Sequence, residues 1–166
     1  MVFLQGTAIM HSAALKVDRR ERLRQVLDRD PSVREWDTYI PAEGVVEKLR
    51  CWSAQGAEFV YLSSHRKPEN VAVDEVVVKA HGFPAGRILS RSLRRTYGEL
   101  IGRERPDVLI EDDCESIGAA EIAHAQIPAW ARDEIRLVVV PEMGGFADLP
   151  DSLTELWAVA TRRNGQ

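Results

Sequence analysis

Short, continuously apolar segments alternate with helix-like segments along this chain, and that alternation constrains its fold more than any other feature. The segments VFLQ, EFVYL, RIL, DVLIE and IRLVVV are rich in β-branched, aromatic or other apolar residues, which favours strands. A strand covered on both faces has a continuously apolar sequence, and right-handed crossovers place helices on both faces of a parallel sheet. We therefore predict an α/β fold, a three-layer, doubly wound parallel sheet of Rossmann-like type.

Several segments between the predicted strands have helical patterns. GVVEKLRCWSAQ places its apolar residues on one stripe and ends at Gly56, and ENVAVDEVVVKAHG, TYGELIGRE and SIGAAEIAHAQ are also predicted helices. The region 8–40 is a small helical insert after the first strand, whose helix lies within KVDRRERLRQVLDRDP and ends at Pro31. The predicted organisation is one domain over residues 1–166 that contains this insert.

The composition is that of a globular protein, with 45% hydrophobic and 29% charged residues. No apolar run approaches the ~20 residues of a membrane span, and no basic segment precedes a long hydrophobic stretch, so a cytoplasmic protein without a membrane partner is expected. The net charge of −4 argues against nucleic acid as a partner. Cys51 and Cys114 match no zinc or CxxC spacing and are expected to be reduced thiols.

In a sheet of this kind the ligand site lies outside the carboxyl ends of the strands, so the residues that follow each strand are the candidates. They supply hydroxyls and backbone N–H groups for an oxyanion, cations for its charge, and carboxylates for a divalent metal. The candidates are Gln5, Gly6, Thr7, Ser63, Ser64, His65, Arg66, Lys67, Glu111, Asp112, Asp113, Cys114, Pro141 and Glu142. This combination is typical of phosphate and magnesium chemistry.

The order of these pieces resembles a known family. An apolar strand, a Gly-Thr turn, the segment GVVEKLRCWSAQGAEFVYLSSHR and then PDVLIEDDCESIG are similar to the haloacid dehalogenase (HAD) superfamily of mostly magnesium-dependent phosphatases. The resemblance covers roughly Val2 to Leu149, with residues 8–40 as a cap-like insert. In that family the first strand ends in DxDGT, the second in serine or threonine, and a later strand in acidic residues, with a lysine or arginine between. The resemblance implies a HAD-like core, Mg²⁺ as cofactor and a small phosphorylated molecule as partner.

The family pattern assigns phosphate-binding roles to several residues of this chain. Gly6 and Thr7 match the turn of the first motif. Ser63 matches the hydroxyl that holds a phosphoryl oxygen, with Ser64 as an alternative one residue later. The cations that could neutralise a phosphate are Arg66, Lys67, Arg94 and Arg95.

The family pattern also assigns a metal site. Asp112 and Asp113 match the acids that hold the metal, Glu111 takes a position often filled by glycine, and the backbone carbonyl of Gln5 could face the ion. The alternative is that EDDCE is the acid-rich start of a helix, capped by Asp113 or Ser116.

Two departures from the family pattern lie in the first motif. Phe3 stands where the nucleophilic aspartate is expected, and a phenyl ring cannot attack phosphorus, so an aspartyl-phosphate mechanism through this position is excluded. Gln5 stands where the general acid and base is expected, and a carboxamide does not exchange protons near neutral pH. The loss of both carboxylates should weaken or abolish magnesium binding.

An active enzyme would therefore need other groups. His65 and His11 are the possible bases, with Asp112 in support, and an activated water or Cys114 is the possible nucleophile. Two acids precede Cys114, and their field raises the pKa of its thiol, which favours an inert cysteine.

Three functions are compatible with these residues. The first is a non-catalytic or impaired HAD-like protein that binds a phosphorylated ligand or a metal in the cleft at the strand ends. The alternative is an active metal-dependent hydrolase with a rebuilt mechanism that uses metal-bound water. A further alternative is a structural or oligomerisation module with a vestigial cleft, in which DRRERLRQVLDRD is the contact surface.

Overall fold

A five-stranded sheet forms the centre of the structure, which is a computed structural model that describes residues 1–92, 95–118 and 122–161. The strands are β1 (Val2–Phe3), β2 (Ile9–Met10), β3 (Ile40–Pro41), β4 (Phe59–Ser63), β5 (Gly86–Ser90), β6 (Val108–Asp112) and β7 (Arg136–Val140). The helices are α1 (Arg19–Leu27), α2 (Val45–Ala54), α3 (Pro68–Ala80), α4 (Tyr97–Glu104), α5 (Ala129–Arg132) and α6 (Leu153–Val159). The predicted α/β class is confirmed.

The sheet has the strand order β5-β4-β1-β6-β7, and each neighbouring pair runs parallel. The chain moves outward from the central β1 to β4 and β5, and then returns to the other side of β1 to form β6 and β7. The direction of winding therefore changes between β1 and β6. A change of direction of this kind opens a crevice at the carboxyl ends of the two strands, where ligands bind.

Successive side chains of the strands enter two different apolar clusters, one on each face of the sheet. On one face Val2, Tyr61 and Ile110 pack with buried residues of α2, α3 and α6. On the other face Leu62 and Leu109 pack with buried residues of α4 and α5. The alternation explains why the strand sequences are apolar at nearly every position, since both faces are covered.

Residues 8–40 form an arm over the carboxyl edge of the sheet, closed at its base by the antiparallel pair β2–β3. Asp18 caps α1 by accepting a bond from the backbone N–H of Glu21. The helix ends at Leu27, before the predicted end at Pro31, where a 3-10 helix begins. Arg22 donates to the carbonyl of Met143, which lies after β7. At the other side of the arm, His81 donates to the carbonyl of Tyr39.

The charged surface of α1 forms its own internal ion pairs. Arg24 contacts Glu21 at 2.6 Å and Asp28 at 2.5 Å within the same helix. Arg22 donates to the backbone carbonyls of Ala14 and Val17 as well as to the loop after β7. Arg22 and Arg24 therefore stabilise the arm through contacts within it, and Arg22 also joins it to the loop after β7. In the part of the chain that the structure describes, no helix is long and apolar enough to cross a membrane.

The helices predicted from GVVEKLRCWSAQ, ENVAVDEVVVKAHG and TYGELIGRE are confirmed as α2, α3 and α4. The helix predicted over SIGAAEIAHAQ is wrong in its described part, where residues 115–117 form a turn and a short 3-10 helix spans His124–Gln126. Residues 119–121 of that segment lie outside the described residues. The reason for the error is a distant contact, because the Glu111 carboxylate accepts bonds from the backbone N–H groups of Ala123 and His124.

Gly98 allows α4 to pack closely against the 3-10 helix His124–Gln126. A Cβ atom at this position would overlap the carbonyl oxygen of Gln126. We expect Gly98→Ala to lower the free energy of unfolding by about 1–3 kcal/mol in urea denaturation, because the backbone must move apart. The control is Gly102→Ala in the same helix, where the new Cβ would meet the exposed side chain of Trp130 at 3.2 Å, which can shift. Equal losses in the two variants would contradict the packing argument.

Candidate functional site

A cavity of about 350 Å³ lies at the carboxyl edge of the sheet, beneath the arm of residues 8–40. Its polar lining comes from the loops after the strands and includes Gln5, His65, Asp112 and Glu142. Its volume is at the lower end of the range of small-ligand pockets, which is about 300–1,000 Å³. The cavity is therefore large enough for a small molecule and has titratable groups in its wall.

The turn after β1 is joined directly to the end of β6. The Thr7 hydroxyl donates to Asp112 Oδ2 at 2.6 Å and accepts from the Asp112 backbone N–H at 3.1 Å. Gly6 has a φ of +82°, and a Cβ there would lie 3.1 Å from the same carboxylate oxygen, so glycine serves both the turn and the close approach. Thr7 is fully buried, and its hydroxyl is directed at Asp112.

Three carboxylates converge next to this turn. Asp112, Asp113 and Glu142 each offer an oxygen, and these oxygens lie within 4.8 Å of one another. Asp113 Oδ1 accepts from the backbone N–H of Glu142 at 3.0 Å, and Ser116 donates to Glu142 from both its backbone N–H and its hydroxyl. Hard oxygen ligands are those that Mg²⁺ and Ca²⁺ prefer. Because the Asp113 side chain is 42% exposed, water can complete the coordination of an ion held here.

The acidic cluster has an unfavourable charge balance. Burial raises the pKa of Asp112, and a hydrogen bond from Thr7 opposes this shift. Burial and the nearby charges of Asp112 and Asp113 raise the pKa of Glu142, and hydrogen bonds from Ser116 oppose this second shift. Arg19 supplies partial compensation: its Nε donates to the Glu142 carbonyl and its Nη2 lies 3.7 Å from Asp113. A bound cation would relieve the remaining repulsion.

A second cluster surrounds the buried carboxylate of Asp74, on α3. Asp74 Oδ2 accepts from the Ser63 hydroxyl at 2.5 Å and lies 3.0 Å from His65 Nδ1, and Asp74 Oδ1 accepts from Gln5 Nε2 at 2.8 Å. The Ser63 hydroxyl is thus bound to Asp74. The side-chain oxygen of Gln5, Oε1, accepts from the Ser64 backbone N–H at 2.8 Å. The sequence analysis missed Asp74, although an acid on the buried valine stripe of α3 was a visible signal.

The aromatic ring at the expected nucleophile position forms part of the cavity wall. Phe3 is half-buried and packs edge-on against Tyr97, with ring centroids 5.3 Å apart. Tyr97 also lines the cavity, and the Arg91 guanidinium lies over its ring at 4.6 Å. Phe3 therefore contributes shape and apolar surface where the family pattern has a reactive carboxylate.

The other candidates lie in different environments. His11 is buried, lines the cavity and has its Nε2 2.7 Å from Gln25 Oε1. Cys114 also lines the cavity, and burial together with Asp112 raises the pKa of its thiol far above neutrality, so the thiolate is disfavoured. Glu111 accepts from His124 and from two backbone N–H groups.

The proposed phosphate cations are not gathered at the cavity. Arg66, Lys67 and Arg95 are exposed and do not belong to its wall. Arg94 lies outside the described residues. Among the described residues that line the cavity, Arg91 is the one with a permanent positive charge.

No family model, curated protein or solved structure matches this chain. The resemblance to the HAD superfamily therefore depends on the sequence motifs alone.

The Gln5 side-chain amide donates a hydrogen bond to Asp74, which an ionised carboxylate at this position could not do. Gln5→Glu keeps the shape but places a second carboxylate against Asp74, so we expect the free energy of unfolding to fall by about 2–4 kcal/mol near pH 7. Urea denaturation at about pH 7 measures this loss.

The double variant Gln5→Glu with Asp74→Asn tests the same pairing. The amide introduced by the second substitution would donate to the new carboxylate, so the two losses should not add, with a coupling free energy of about 1 kcal/mol or more. Additive losses would show that Gln5 and Asp74 do not interact.

Proposed function

We propose that this protein is HAD-like and that its cleft binds a divalent cation and, together with that cation, a small phosphorylated ligand, without forming an aspartyl-phosphate. The observation that carries the proposal is the cluster of Asp112, Asp113 and Glu142, because Asp112 and Glu142 line a cavity in which Phe3 occupies the expected nucleophile position. The glycine turn against Asp112 and the change of direction between β1 and β6 support the same interpretation. In this proposal the arm of residues 8–40 is a cap over the cleft.

Electrostatics favours binding of the cation before the phosphate. Asp112 and Glu142 line the cavity, and Arg91 is the one permanently positive side chain among its described lining residues. A phosphate dianion would be repelled by the ionised acids unless a cation lay between them. The exposed Arg66 and Lys67 remain outside the wall. Phosphate affinity should consequently depend on the metal.

The candidate nucleophiles among the described residues are poorly suited to attack, which favours binding over turnover. Phe3 has no nucleophilic atom, the Ser63 hydroxyl is bound to Asp74, and the raised pKa of Cys114 disfavours its thiolate. Gln5 holds Asp74 and the Ser64 backbone instead of exchanging protons. Each first-motif departure thus has a packing or hydrogen-bonding role.

Thermal unfolding with metal and phosphate tests the proposal. At about pH 7.5, millimolar Mg²⁺ or Mn²⁺ should raise the midpoint, and inorganic phosphate should raise it further only when metal is present. Toward about pH 5 the metal effect should shrink, because protons compete for Asp112 and Glu142, whose pKa values are raised. Asp113→Asn should weaken metal binding by about tenfold or more, since it removes one ligand charge.

Glu115→Gln is the matched control for this experiment, because Glu115 is an exposed acid that contacts Arg19 at 2.7 Å but lies outside the cluster of three carboxylates. Its metal response should equal that of the wild type. A phosphate response without metal, or no response to any divalent cation, would refute the proposal.

A specific observation favours a second candidate, an active phosphoester hydrolase. Asp74 fixes His65 through Nδ1, so Nε2 is the ring nitrogen that can exchange a proton with a ligand in the cavity. His65 would take a proton from an attacking water, and the cation would supply electrostatic stabilisation of the developing charge.

Phosphomonoester turnover with Mg²⁺, Mn²⁺ or Zn²⁺ distinguishes the two functions. If the protein is a hydrolase, the wild type should turn over the ester and His65→Asn should lower the rate by about 100-fold. Asn keeps a donor for Asp74 but cannot accept a proton. The control is Glu75→Gln, at an exposed residue of α3 that does not line the cavity. If the wild type binds metal and phosphate but has no turnover, the non-catalytic function stands.

A further inference from the structure

Part of the cavity wall is apolar and aromatic, and binding of a phosphate and a metal does not require such a wall. The arm of residues 8–40 contributes aliphatic and aromatic side chains to the wall, and β1 and α4 contribute two more rings. These residues are Val26, Val33, Trp36, Tyr39, Phe3 and Tyr97. Apart from His11 and the polar atoms of the aromatic rings, the polar side chains of the lining belong to the strand ends, so the cavity combines a polar floor with a mostly apolar roof.

The rings in this roof are held in fixed positions. Trp36 packs on His65 with centroids 4.6 Å apart, and Phe3 packs edge-on against Tyr97 at 5.3 Å. The Tyr39 hydroxyl donates to the Val33 carbonyl at 2.8 Å, and burial raises its pKa to about 12, so it stays neutral. A ligand that binds between such rings has little side-chain ordering to impose on the protein.

This wall is poorly suited to a polyhydroxylated ligand. Val26, Val33 and Phe3 offer no hydrogen-bonding atoms in their side chains, and the Tyr39 hydroxyl is already engaged. A sugar hydroxyl buried against them would lose its bonds to water without replacement. An aromatic ring or a branched alkyl group would instead gain the hydrophobic free energy of burial. The volume of about 350 Å³ suits one such group with one charged end.

We propose that the organic part of the ligand is a single aromatic ring or a compact branched alkyl group, bound between Phe3 and Tyr97 on one side and Trp36 and Tyr39 on the other. The ligand class is thus an aryl or alkyl phosphate monoester instead of a sugar phosphate. The phosphoryl end of this assignment rests on the proposed function, whereas the apolar end rests on the roof alone. Phe3 becomes a determinant of specificity at the position of the expected nucleophile.

Calorimetric titration with phosphonates tests the inference, since phosphonates cannot be hydrolysed. With Mg²⁺ present, benzylphosphonate should bind about tenfold or more tightly than (3-hydroxypropyl)phosphonate or inorganic phosphate, because only it buries a ring. Equal affinities for the three ligands, or tighter binding of the hydroxylated one, would overturn the inference.

A neutral probe separates this inference from the proposed function. Benzyl alcohol, titrated without metal, should shift the NMR signals of the Trp36 indole and leave those of the exposed Trp130 unchanged. If inorganic phosphate fails to bind with metal while benzyl alcohol shifts Trp36, the proposed function falls and the apolar site stands. If benzyl alcohol does not shift Trp36, the apolar site falls regardless of the phosphate result.

Substitutions in the roof test which residues contribute to the binding free energy of the ring. Trp36→Ala should weaken benzylphosphonate by about fivefold or more and leave inorganic phosphate within about twofold, a selective change that general loss of structure would not give. Trp130→Ala, on the exposed surface, should change neither. Because the loss of Trp36 can loosen the arm, Val33→Thr gives a second test at nearly constant volume. Weakening of both ligands to the same degree in both variants would contradict the assignment.

Discussion

The carboxylate of Asp74 is the group on which the floor of the cleft depends. Its charge is removed from water, which costs several kcal/mol in a protein unless hydrogen bonds replace the lost hydration. Gln5 and Ser63 supply side-chain donors from the ends of β1 and β4, and the His65 ring contacts the same carboxylate. The two strand ends are thereby joined through one residue of α3. The orientation of the histidine and the path of the loop after β4 follow from satisfying this single charge.

The departures from the HAD pattern are coordinated with their surroundings. The Gln5 amide donates to Asp74, where an ionised acid would be repelled, and the Phe3 ring forms a T-shaped pair with the Tyr97 ring. A site that had merely lost its catalytic residues would not need such complementary partners. In the proposed HAD-like function, the first motif would be rebuilt around the buried acid Asp74 and an apolar wall, and Asp112 and its neighbours would be the retained carboxylates.

The sequence predicted the parts of this structure that depend on local patterns. Continuous apolar runs identified the five strands of the parallel sheet but not the short β2 and β3, and helical spacing identified α2. The rule for parallel sheets brought Gly6 and Asp112 to the same edge. The segment after β6 was misjudged because its backbone bonds go to Glu111, a contact that no periodicity encodes.

Long-range contacts also explain what was missed in the site. Asp74 lies in a valine-rich segment and shares a helix face with Val77 and Val78. Its contacts with Gln5 and Ser63 became clear only when α3 was packed on the sheet. Glu142 was recognised as a strand-end residue, but its place beside Asp112 depends on the Ser116 bonds that turn its carboxylate inward. Arg19 reaches the acids from α1, and its bond to Glu115 joins residues that are 96 positions apart in the chain.

The arm of residues 8–40 is fastened at both sides of the cleft, by Arg22 to the Met143 carbonyl and by His81 to the Tyr39 carbonyl. The arm is thereby held as a preformed wall of a cavity that also opens to solvent. A ligand would bind without first ordering the backbone of the arm, so the free energy of its contacts would not be offset by the conformational entropy of that segment.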